Sequence, residues 1–452
     1  MRLTLLHTND VHGRIEGLAR VATLVERIRA ASDHRVIYVD GGDVEEPTSR
    51  LSNLTKGVAM HRLLSAAGCE VACVGNAVWL RYGPQVIREQ ARAASYPLLL
   101  ANLEPVEGVQ ATALVDGVGF VGVTDPFLDF VESFDYGLRA LDPVAVVLAG
   151  ARSLRERGAE LVVCLSHLGM RQWEERRRQR SITDPELAER VQGEVDLIVG
   201  AHTHDLLPEG ERVGSVLIAQ AGSFAEHLGR IEVDGDERRA SVIPVGDDVP
   251  LHPAVLAAVE RAEADLDASL DEVLAVLDSP LDANWVADTL RRRMGAEIGL
   301  VNAAQALERE LPPGPLRRRE LWEAFHSTAN PAVTELTGAQ LGRMVEVAAD
   351  PAFQAEEPRT LRGRARGALH VVGAPAELEP ERAYRVAATD FELESYGGMV
   401  EPDWKLGVRY DFPTILREAI EDELAAQRLE RPVVEGDPVA PEGAAGREQP
   451  LP

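Results

Sequence analysis

The chain has 452 residues, with 47 basic and 74 acidic side chains and a formal net charge of −27 at pH 7. This excess of acid disfavours binding to nucleic acid or to an anionic membrane, because both partners are themselves negatively charged. Hydrophobic residues make up 45% of the sequence and charged residues 27%, as in a soluble globular protein. No apolar run approaches the roughly 18 residues that a membrane helix needs. A chain of this length is expected to form two domains.

The first elements predict the cellular compartment. Strand-like sequence begins at Leu3, which leaves no room for a signal peptide. Cys69, Cys73 and Cys164 cannot all pair, and each lies in an apolar run, so we expect reduced core thiols. Both features predict a cytoplasmic protein, unless the natural chain is longer at its start.

Short apolar runs alternate with helical periodicity through the first half of the chain. The runs are LTLLHT, VIYV, VACV, LLLANL, VGFVGV, LVVCLSH, DLIVGAH, VLIAQAG and GRIEVD. Runs of this length are typical of strands covered on both faces by helices. Helical spacing separates them in KGVAMHRLLSAAG, YGPQVIREQARAA and PVAVVLAGARSLRERGAE. We therefore predict an α/β domain over residues 1–247.

The rest of the chain is divided by its composition. Apolar residues from Val255 to Leu277 recur at helical spacing and predict an amphipathic linker helix within residues 248–280. A second domain is expected over residues 281–430. The tail, residues 431–452, is rich in Pro, Gly and Glu, and this composition predicts disorder.

Polar residues follow five of the predicted strands, in NDVHG, DGGDVEE, VGNAVW, CLSHLG and VGAHTHD. Sites in open α/β sheets form at the carboxyl ends of strands, where the loops converge. These strand ends present seven candidate metal ligands: Asp10, His12, Asp43, Asn76, His167, His202 and His204. The glutamates of DVEE, Glu45 and Glu46, are expected to form a solvated turn.

The spacing of these residues suggests how they converge. In extended chain, residues two apart project to the same side, so Asp10 would act with His12, and His202 with His204. Asp43 follows two glycines, which would let it approach two cations closely. Carboxylate and amide oxygens combined with imidazoles suit Mn, Fe, Zn, Co or Ni better than Ca or Mg. Two such ions about 3.5–4 Å apart can hold a hydroxide and clamp a phosphoryl oxygen.

The motifs D-x-H, G-D, G-N, a single histidine after a strand and G-x-H-x-H together resemble the calcineurin-like metallophosphoesterase signature. The flanking segments LLHTNDVHGRIEGLARVATLV and VDLIVGAHTHD are similar to the 5′-nucleotidase branch. AEIGLVNAA, ELTGAQL and ERAYRVAATDFELESYGG resemble that branch's C-terminal domain. The resemblance implies a four-layer α-β-β-α domain followed by a smaller α+β 5′-nucleotidase C-terminal-like domain.

The resemblance also implies a ligand set for two divalent transition-metal ions. Asp10, His12 and His204 would hold the first ion. Asn76, His167 and His202 would hold the second. Asp43 would bridge the two ions. The implied activity is hydrolysis of nucleotides or related phosphoesters, with small-molecule substrates as partners.

The chain departs from the family beside Asn76. The family has G-N-H-[DE], whose histidine stands beside the scissile ester oxygen, whereas this chain has Ala77; Leu80 stands where the branch often has an aspartate that orients the histidine. Losing that proton donor typically costs about 10²–10⁴-fold in rate. Three consequences remain open: substrates whose leaving groups need no proton, a substitute such as Arg81 or Tyr82, or a catalytically silent metal- or nucleotide-binding protein. Trp79 is expected to pack.

The second domain departs from the family as well. The family's N-G-G-G-x-R is replaced here by residues 302–307, which lack both the glycines and the arginine. Arg362, Arg364 and Arg366 fit either a phosphate-facing row or a solvated edge strand, and Tyr396 or Trp404 could stack a base or simply pack. The candidate substrate-binding residues are Asn302, Phe391, Tyr396, Gly397 and Gly398.

Overall fold

The structure is a computed structural model that describes residues 1–46, 49–126, 137–171, 181–302, 307–325, 327, 329–355, 367–394, 398–401, 403–412 and 414–430, without the side chains of residues 80, 81 and 428–430. The chain divides into two compact units, Met1–Asp265 and Leu266–Pro452. The residues predicted to form a disordered tail, 431–452, lie outside the described residues.

The first unit contains two six-stranded sheets. The first sheet has the order β14-β13-β1-β2-β3-β4, with β1 to β4 parallel and β13 antiparallel to β1. Its strands are β1 (Arg2–Thr8), β2 (Arg35–Asp40), β3 (Val71–Cys73), β4 (Leu98–Leu99), β13 (His227–Asp234) and β14 (Glu237–Pro244). Since β1, β2 and β3 are parallel, their carboxyl ends lie at one edge.

The second sheet has the order β11-β12-β10-β9-β7-β6, and β7, β9, β10 and β12 are parallel. Its strands are β6 (Thr112–Val115), β7 (Val118–Thr124), β9 (Leu161–His167), β10 (Leu197–Gly200), β11 (Glu211–Val213) and β12 (Val216–Ala219). The short strands β5 (Leu103–Glu104) and β8 (Arg139–Ala140) pair with each other.

The two sheets share one apolar core. Leu5 and Val39 of the first sheet cluster with Phe120 and Val163 of the second, and all four side chains are fully buried. Each such side chain contributes about 1.5–3 kcal/mol of transfer free energy. Helices cover the outer faces of the sheets, which confirms the predicted α-β-β-α layering. The helices are α1 (Ile15–Ala31), α2 (Arg50–Leu54), α3 (Val58–Ala66), α4 (Ala77–Tyr82), α5 (Gln85–Ala93), α6 (Pro143–Glu156), α7 (Asp184–Arg190) and α8 (Pro253–Leu270).

The predicted linker helix is shorter than its apolar pattern suggested. Helix α8 ends at Leu270, and β15 (Val273–Leu277) pairs antiparallel with β17 (Gly314–Arg317). The prediction of helix to Leu277 was therefore wrong. A short apolar run such as VLAVL fits a strand as well as a helix turn, and here the partner strand decides between them.

The second unit is a smaller α+β structure, as predicted. Its main sheet has the order β19-β16-β20-β18-β21, with the strands β16 (Ile298–Asn302), β18 (Pro331–Thr337), β19 (Leu369–Val372), β20 (Ala383–Thr389) and β21 (Arg409–Tyr410). One apolar cluster joins the sheet to α9 and α14, and another joins it to α11. The helices are α9 (Ala283–Arg293), α10 (Arg318–Ala324), α11 (Gly338–Ala349), α12 (Pro351–Ala355), α13 (Asp390–Leu393) and α14 (Leu416–Glu430). In neither unit does a described helix combine the length and the apolar character that crossing a membrane requires.

Candidate metal centre

The structure brings the predicted ligands together at the carboxyl ends of β1, β2, β3, β9 and β10. Two groups of side chains have their donor atoms within 4.8 Å of one another: Asp10, His12 and His204 form one, and Asp10, Asp43 and His167 the other. Asp10 and His167 are fully buried, and Asp43 is 4% exposed. Buried carboxylates beside imidazoles need compensating charge, and this donor set fits a divalent transition metal. We call the five side chains of these two groups, together with Asn76 and His202, the metal centre, since they are the seven candidate metal ligands.

Asn76 and His202 complete the predicted set. The Oδ1 of Asn76 lies 3.1 Å from Nε2 of His167. The ring of His202 is centred 5.3 Å from that of His167, and its backbone N–H donates to Oδ2 of Asp10 at 2.9 Å. Thus all seven predicted residues meet at one place in the first unit.

The backbone at the metal centre is not extended, contrary to the prediction from the spacing of the residues. Asp10, His12, Asp43, His202 and His204 all have positive φ, between 47° and 72°. Left-handed backbone is uncommon for residues other than glycine and is concentrated at functional sites. The extended-chain explanation for the paired spacings was therefore wrong. The side chains converge because each loop turns sharply after its strand.

Hydrogen bonds join these loops to one another. The backbone N–H of Asp10 donates to the Gly42 carbonyl at 2.9 Å, and that of His12 donates to the Asp43 carbonyl at 3.0 Å. The Ala77 N–H donates to Oδ1 of Asp43 at 2.9 Å. A side chain at Gly75 would overlap the Asp43 carboxylate, so glycine is required there for close approach. The candidate bridging carboxylate is thus positioned from three loops.

Contacts behind the histidines define which ring nitrogen faces the centre. Nδ1 of His167 lies 2.9 Å from the Gly41 carbonyl, while its Nε2 lies 3.3 Å from Oδ2 of Asp43. Nε2 of His12 lies 3.1 Å from Nε2 of His204. A hydrogen bond behind a ligating histidine selects its tautomer and orientation, so His167 would present Nε2.

The two glutamates after Asp43 are buried rather than solvated. Glu45 and Glu46 are 3% and 4% exposed, which corrects the prediction of a solvated turn. Oε2 of Glu46 lies 3.5 Å from Nδ1 of His12, and Oε1 of Glu45 lies 3.3 Å from Nε2 of His61. Partners among buried histidines explain their burial. Glu46 is therefore suited to orient His12 from behind.

Asp125 lies beside the metal centre and was not among the residues predicted from the sequence. It follows β7, its Oδ2 lies 3.7 Å from Nε2 of His202, and its Oδ1 accepts a hydrogen bond from Ser181 at 2.6 Å. A carboxylate behind a histidine typically fixes the ring and raises its affinity for metal. The signal was available in the sequence, because VGVTDP is a sixth strand end followed by an acidic residue.

Replacing Asp125 by asparagine is expected to weaken metal binding about 10–100-fold, because His202 would lose the charge that orients it. Titration of the purified variant with Zn²⁺ against a competing chelator measures this. Asp236→Asn, which neutralises an exposed carboxylate in the same unit, is the matched control. Equal affinity in both variants would show that Asp125 does not orient His202.

Burial and the charges of neighbouring side chains shift the pKa values of the residues in the metal centre. Burial alone would lower the pKa of His167, but the charge and hydrogen bond of Asp43 outweigh it and raise that pKa to about 10. Burial, followed by repulsion from His167, lowers the pKa of His202 to about 4. Burial works against ionisation of Asp10 and Asp43, yet the neighbouring histidines hold both pKa values below the ordinary range. When no metal is bound, His167 is therefore protonated near neutral pH and lies between the ionised carboxylates of Asp10 and Asp43.

Metal binding at pH 8 is therefore expected to release about one proton, because a ligating histidine must be neutral and His167 is protonated below pH 10 without metal. Affinity should accordingly rise with pH between 7 and 9. Calorimetric titration with Zn²⁺ in buffers of different ionisation enthalpy counts the protons. Affinity that does not change over this pH range would contradict the assignment.

Among the side chains that the structure describes, helix α4 after Asn76 offers few groups that could donate a proton to a leaving group. Ala77 begins α4 and is partly exposed, whereas Trp79 and Tyr82 are 0% and 1% exposed. Trp79 packs as predicted. Tyr82 is too deeply buried to contact a leaving group. It therefore does not replace the missing histidine as a proton donor, although its position in the sequence allowed that role. The side chain of Arg81 lies outside the described residues.

The predicted substrate-binding residues of the second unit are mostly structural or lie outside the described residues. Both polar groups of the Asn302 side chain bond to the backbone of Gly367, at 2.7 and 2.9 Å. Phe391 is 2% exposed in the apolar core. Trp404 packs against the same core, and Gly398 has a φ of +81°. The remaining candidates lie outside the described residues: Arg362, Arg364, Arg366, Tyr396 and Gly397.

Two known protein families match separate parts of the chain. The calcineurin-like phosphoesterase family matches residues 3–206, and the 5′-nucleotidase C-terminal domain matches residues 278–401. The chain belongs to the calcineurin-like phosphoesterases that carry a 5′-nucleotidase C-terminal domain. This membership confirms the resemblance seen in the motifs and supports phosphoester hydrolysis over the silent alternative.

Individual relatives of this two-domain family are distant. An uncharacterized metallophosphoesterase of Bacillus subtilis (strain 168), YunD, is 24% identical over 84% of this chain and 85% of its own length. The 5′-nucleotidase of Bos taurus is 25% identical over 56% of this chain and 50% of its own length, so the chain spans about half of that relative. The structure of a 5′-nucleotidase precursor from Thermus thermophilus matches with a TM-score of 0.58 at 20% identity, covering 94% of this chain and 97% of the other. At this identity the match shows a shared fold.

Proposed function

We propose that the protein is a dinuclear metal-dependent phosphoester hydrolase that acts on nucleotides or related small phosphoesters. The observation that carries the proposal is the meeting of Asp10, Asp43 and His167 with His12 and His204, in two groups that share Asp10. Two overlapping donor groups are the arrangement that a pair of ions would need. Mn, Zn, Fe, Co and Ni all suit this donor set.

The residues of the chain have distinct tasks in this proposal. Asp10, His12 and His204 would hold one ion, Asn76, His167 and His202 would hold the other, and Asp43 would hold both. When bound, the two ions would activate a water and neutralise charge on the phosphoryl oxygens. The three-loop support of Asp43 keeps its carboxylate in place, so little reorganisation is needed during the reaction.

A cation beside the metal centre would help to attract the anionic substrate. The guanidinium of Arg14 lies 5.0 Å from the centre of the Phe224 ring, and this ring packs against those of His12 and His204 at 5.6 and 5.5 Å. Arg14 is exposed, so it can meet an approaching phosphate. Ala77, in contrast, offers no proton to the leaving group, which favours substrates with good leaving groups.

The test is a substrate panel with a metal control. Protein reconstituted with Mn²⁺ is offered 4-nitrophenyl phosphate, bis(4-nitrophenyl) phosphate, AMP, a cyclic nucleotide and a nucleotide-sugar, before and after chelation. We expect metal-dependent release of product, faster with the activated esters than with AMP. Bound metal without turnover of any of the five compounds would support the catalytically silent alternative.

A further inference from the structure

A cavity of about 510 Å³ lies within the second unit, and none of the predicted ligands or substrate-binding residues lines it. It is lined by Arg293, Met294, Val333, Arg385, Arg409, Tyr410 and Asp411. We call it the arginine cavity. Its volume lies in the range of small-molecule sites.

The sheet register places two of the arginines on one face. Val333 of β18 pairs with Arg409 of β21, and Glu335, two residues further along β18, pairs with Arg385 of β20. Paired residues project to the same face, and so do residues two apart on one strand. Arg385 and Arg409 therefore stand on either side of Val333. Val333 is 3% exposed and lines the cavity together with both arginines.

Neither Arg385 nor Arg409 has an anionic side-chain partner among the described residues. Arg293 is ion-paired with Asp411 and Asp422. Arg385 and Arg409, by contrast, form no ion pair with any described residue. This includes Glu335, which is the cross-strand neighbour of Arg385. The side chain of Arg385 donates to the Met294 carbonyl at 3.1 Å, while its buried Nε has no hydrogen-bond acceptor among the residues that the structure describes.

Arg385 and Arg409 leave positive charge uncompensated on the lining of the cavity, whereas the charge of Arg293 is balanced by Asp411 and Asp422. A buried guanidinium N–H without an acceptor is costly, and each such group in a folded protein calls for an explanation. An oxyanion bound between Arg385 and Arg409 would supply the acceptor.

We propose that the arginine cavity binds the phosphate group of a small molecule. Guanidinium groups match phosphate oxygens in charge and in paired hydrogen-bond geometry. The apolar surfaces of Met294 and Val333 and the ring of Tyr410 can hold the carrier of that phosphate. The proposal uses no residue of the metal centre and is independent of the proposed function.

Calorimetric titration of the full-length protein tests the proposal. Metal-loaded protein is titrated with inorganic phosphate, AMP and adenosine, and the titrations are repeated after chelation, which removes the metal centre as a competing phosphate site. The variants are Arg409→Gln, on the exposed edge strand, and Arg385→Gln. Arg382→Gln is the matched control, because Arg382 carries the same charge in the same unit but pairs with Glu297 outside the cavity.

We expect phosphate binding that survives chelation and weakens about tenfold or more in Arg409→Gln and Arg385→Gln, but less than about twofold in the control. AMP bound as tightly as phosphate would identify the phosphate group as the recognised part. Tighter binding of AMP would identify a phosphate monoester as the ligand. Absence of binding after chelation, or equal loss in the control variant, would overturn the proposal. Thermal unfolding of each variant shows that the folded protein is being compared.

Discussion

Replacing Ala77 by histidine is expected to raise the rate of AMP hydrolysis by about 10²–10⁴-fold, the usual contribution of a positioned general acid. Ala77 is partly exposed at the start of α4, and its backbone N–H bonds to Asp43. A histidine at this position would therefore begin beside the candidate bridging carboxylate. The ester of AMP has a poor leaving group and needs a proton, whereas 4-nitrophenyl phosphate does not. The gain should thus be large for AMP and small for the activated ester.

Two controls separate proton donation from other effects of this substitution. Ala77→Leu adds bulk without a proton and is expected to leave the rate on AMP unchanged or lower. In Ala77→His the gain should fall as pH rises through the pKa of the new imidazole, ordinarily near 6.5, because only the protonated ring donates. Steady-state rates between pH 5.5 and 8.5 measure this. An AMP rate that stays at the level of the unchanged protein, with metal still bound, would show that Ala77 does not face the leaving group.

The fold was readable from the sequence because its signals are local and repeated. Apolar runs such as LVVCLSH, which forms the fully buried β9, have few alternatives in a chain with helical segments between them. The end of α8 was not readable, because the pairing of β15 with β17 depends on residues some 40 positions away. Strand or helix is decided there by tertiary contacts, which outweigh local propensity.

The candidate ligands of the metal centre were predicted from motifs, but the backbone geometry that brings them together was not. Nothing in the letters NDVHG shows that Asp10 and His12 both adopt positive φ, since only the surrounding loops hold them there. The burial of Glu46 was likewise invisible, because a glutamate in a turn is ordinarily solvated. Its partner, His12, becomes a neighbour only after the first two strands pair. The residues that support the candidate ligands were therefore harder to predict from the sequence than the ligands themselves.

The second large expected effect concerns Asp43. Asp43→Asn keeps the shape of the side chain but removes the charge that would hold two ions together. We expect hydrolysis of 4-nitrophenyl phosphate to fall by about 10³-fold or more, because clamping by two ions contributes several kcal/mol, and each 1.36 kcal/mol is a factor of ten. Elemental analysis should find less than the full metal content of the unchanged protein.

Stability of the metal-free protein distinguishes loss of metal from loss of the fold. Asp43 is 4% exposed, and its carboxylate accepts the Ala77 N–H, a contact that the Asn oxygen can retain. The variant loses the charge that keeps His167 protonated, so after chelation it should still unfold cooperatively but at a lower temperature than the unchanged protein, and added Zn²⁺ should stabilise only the unchanged protein strongly. Asp236→Asn is again the control and should keep both metal and activity. If Asp43→Asn retained the full metal content and rate, Asp43 would not be a shared ligand, and the pair of ions would have to be held without it.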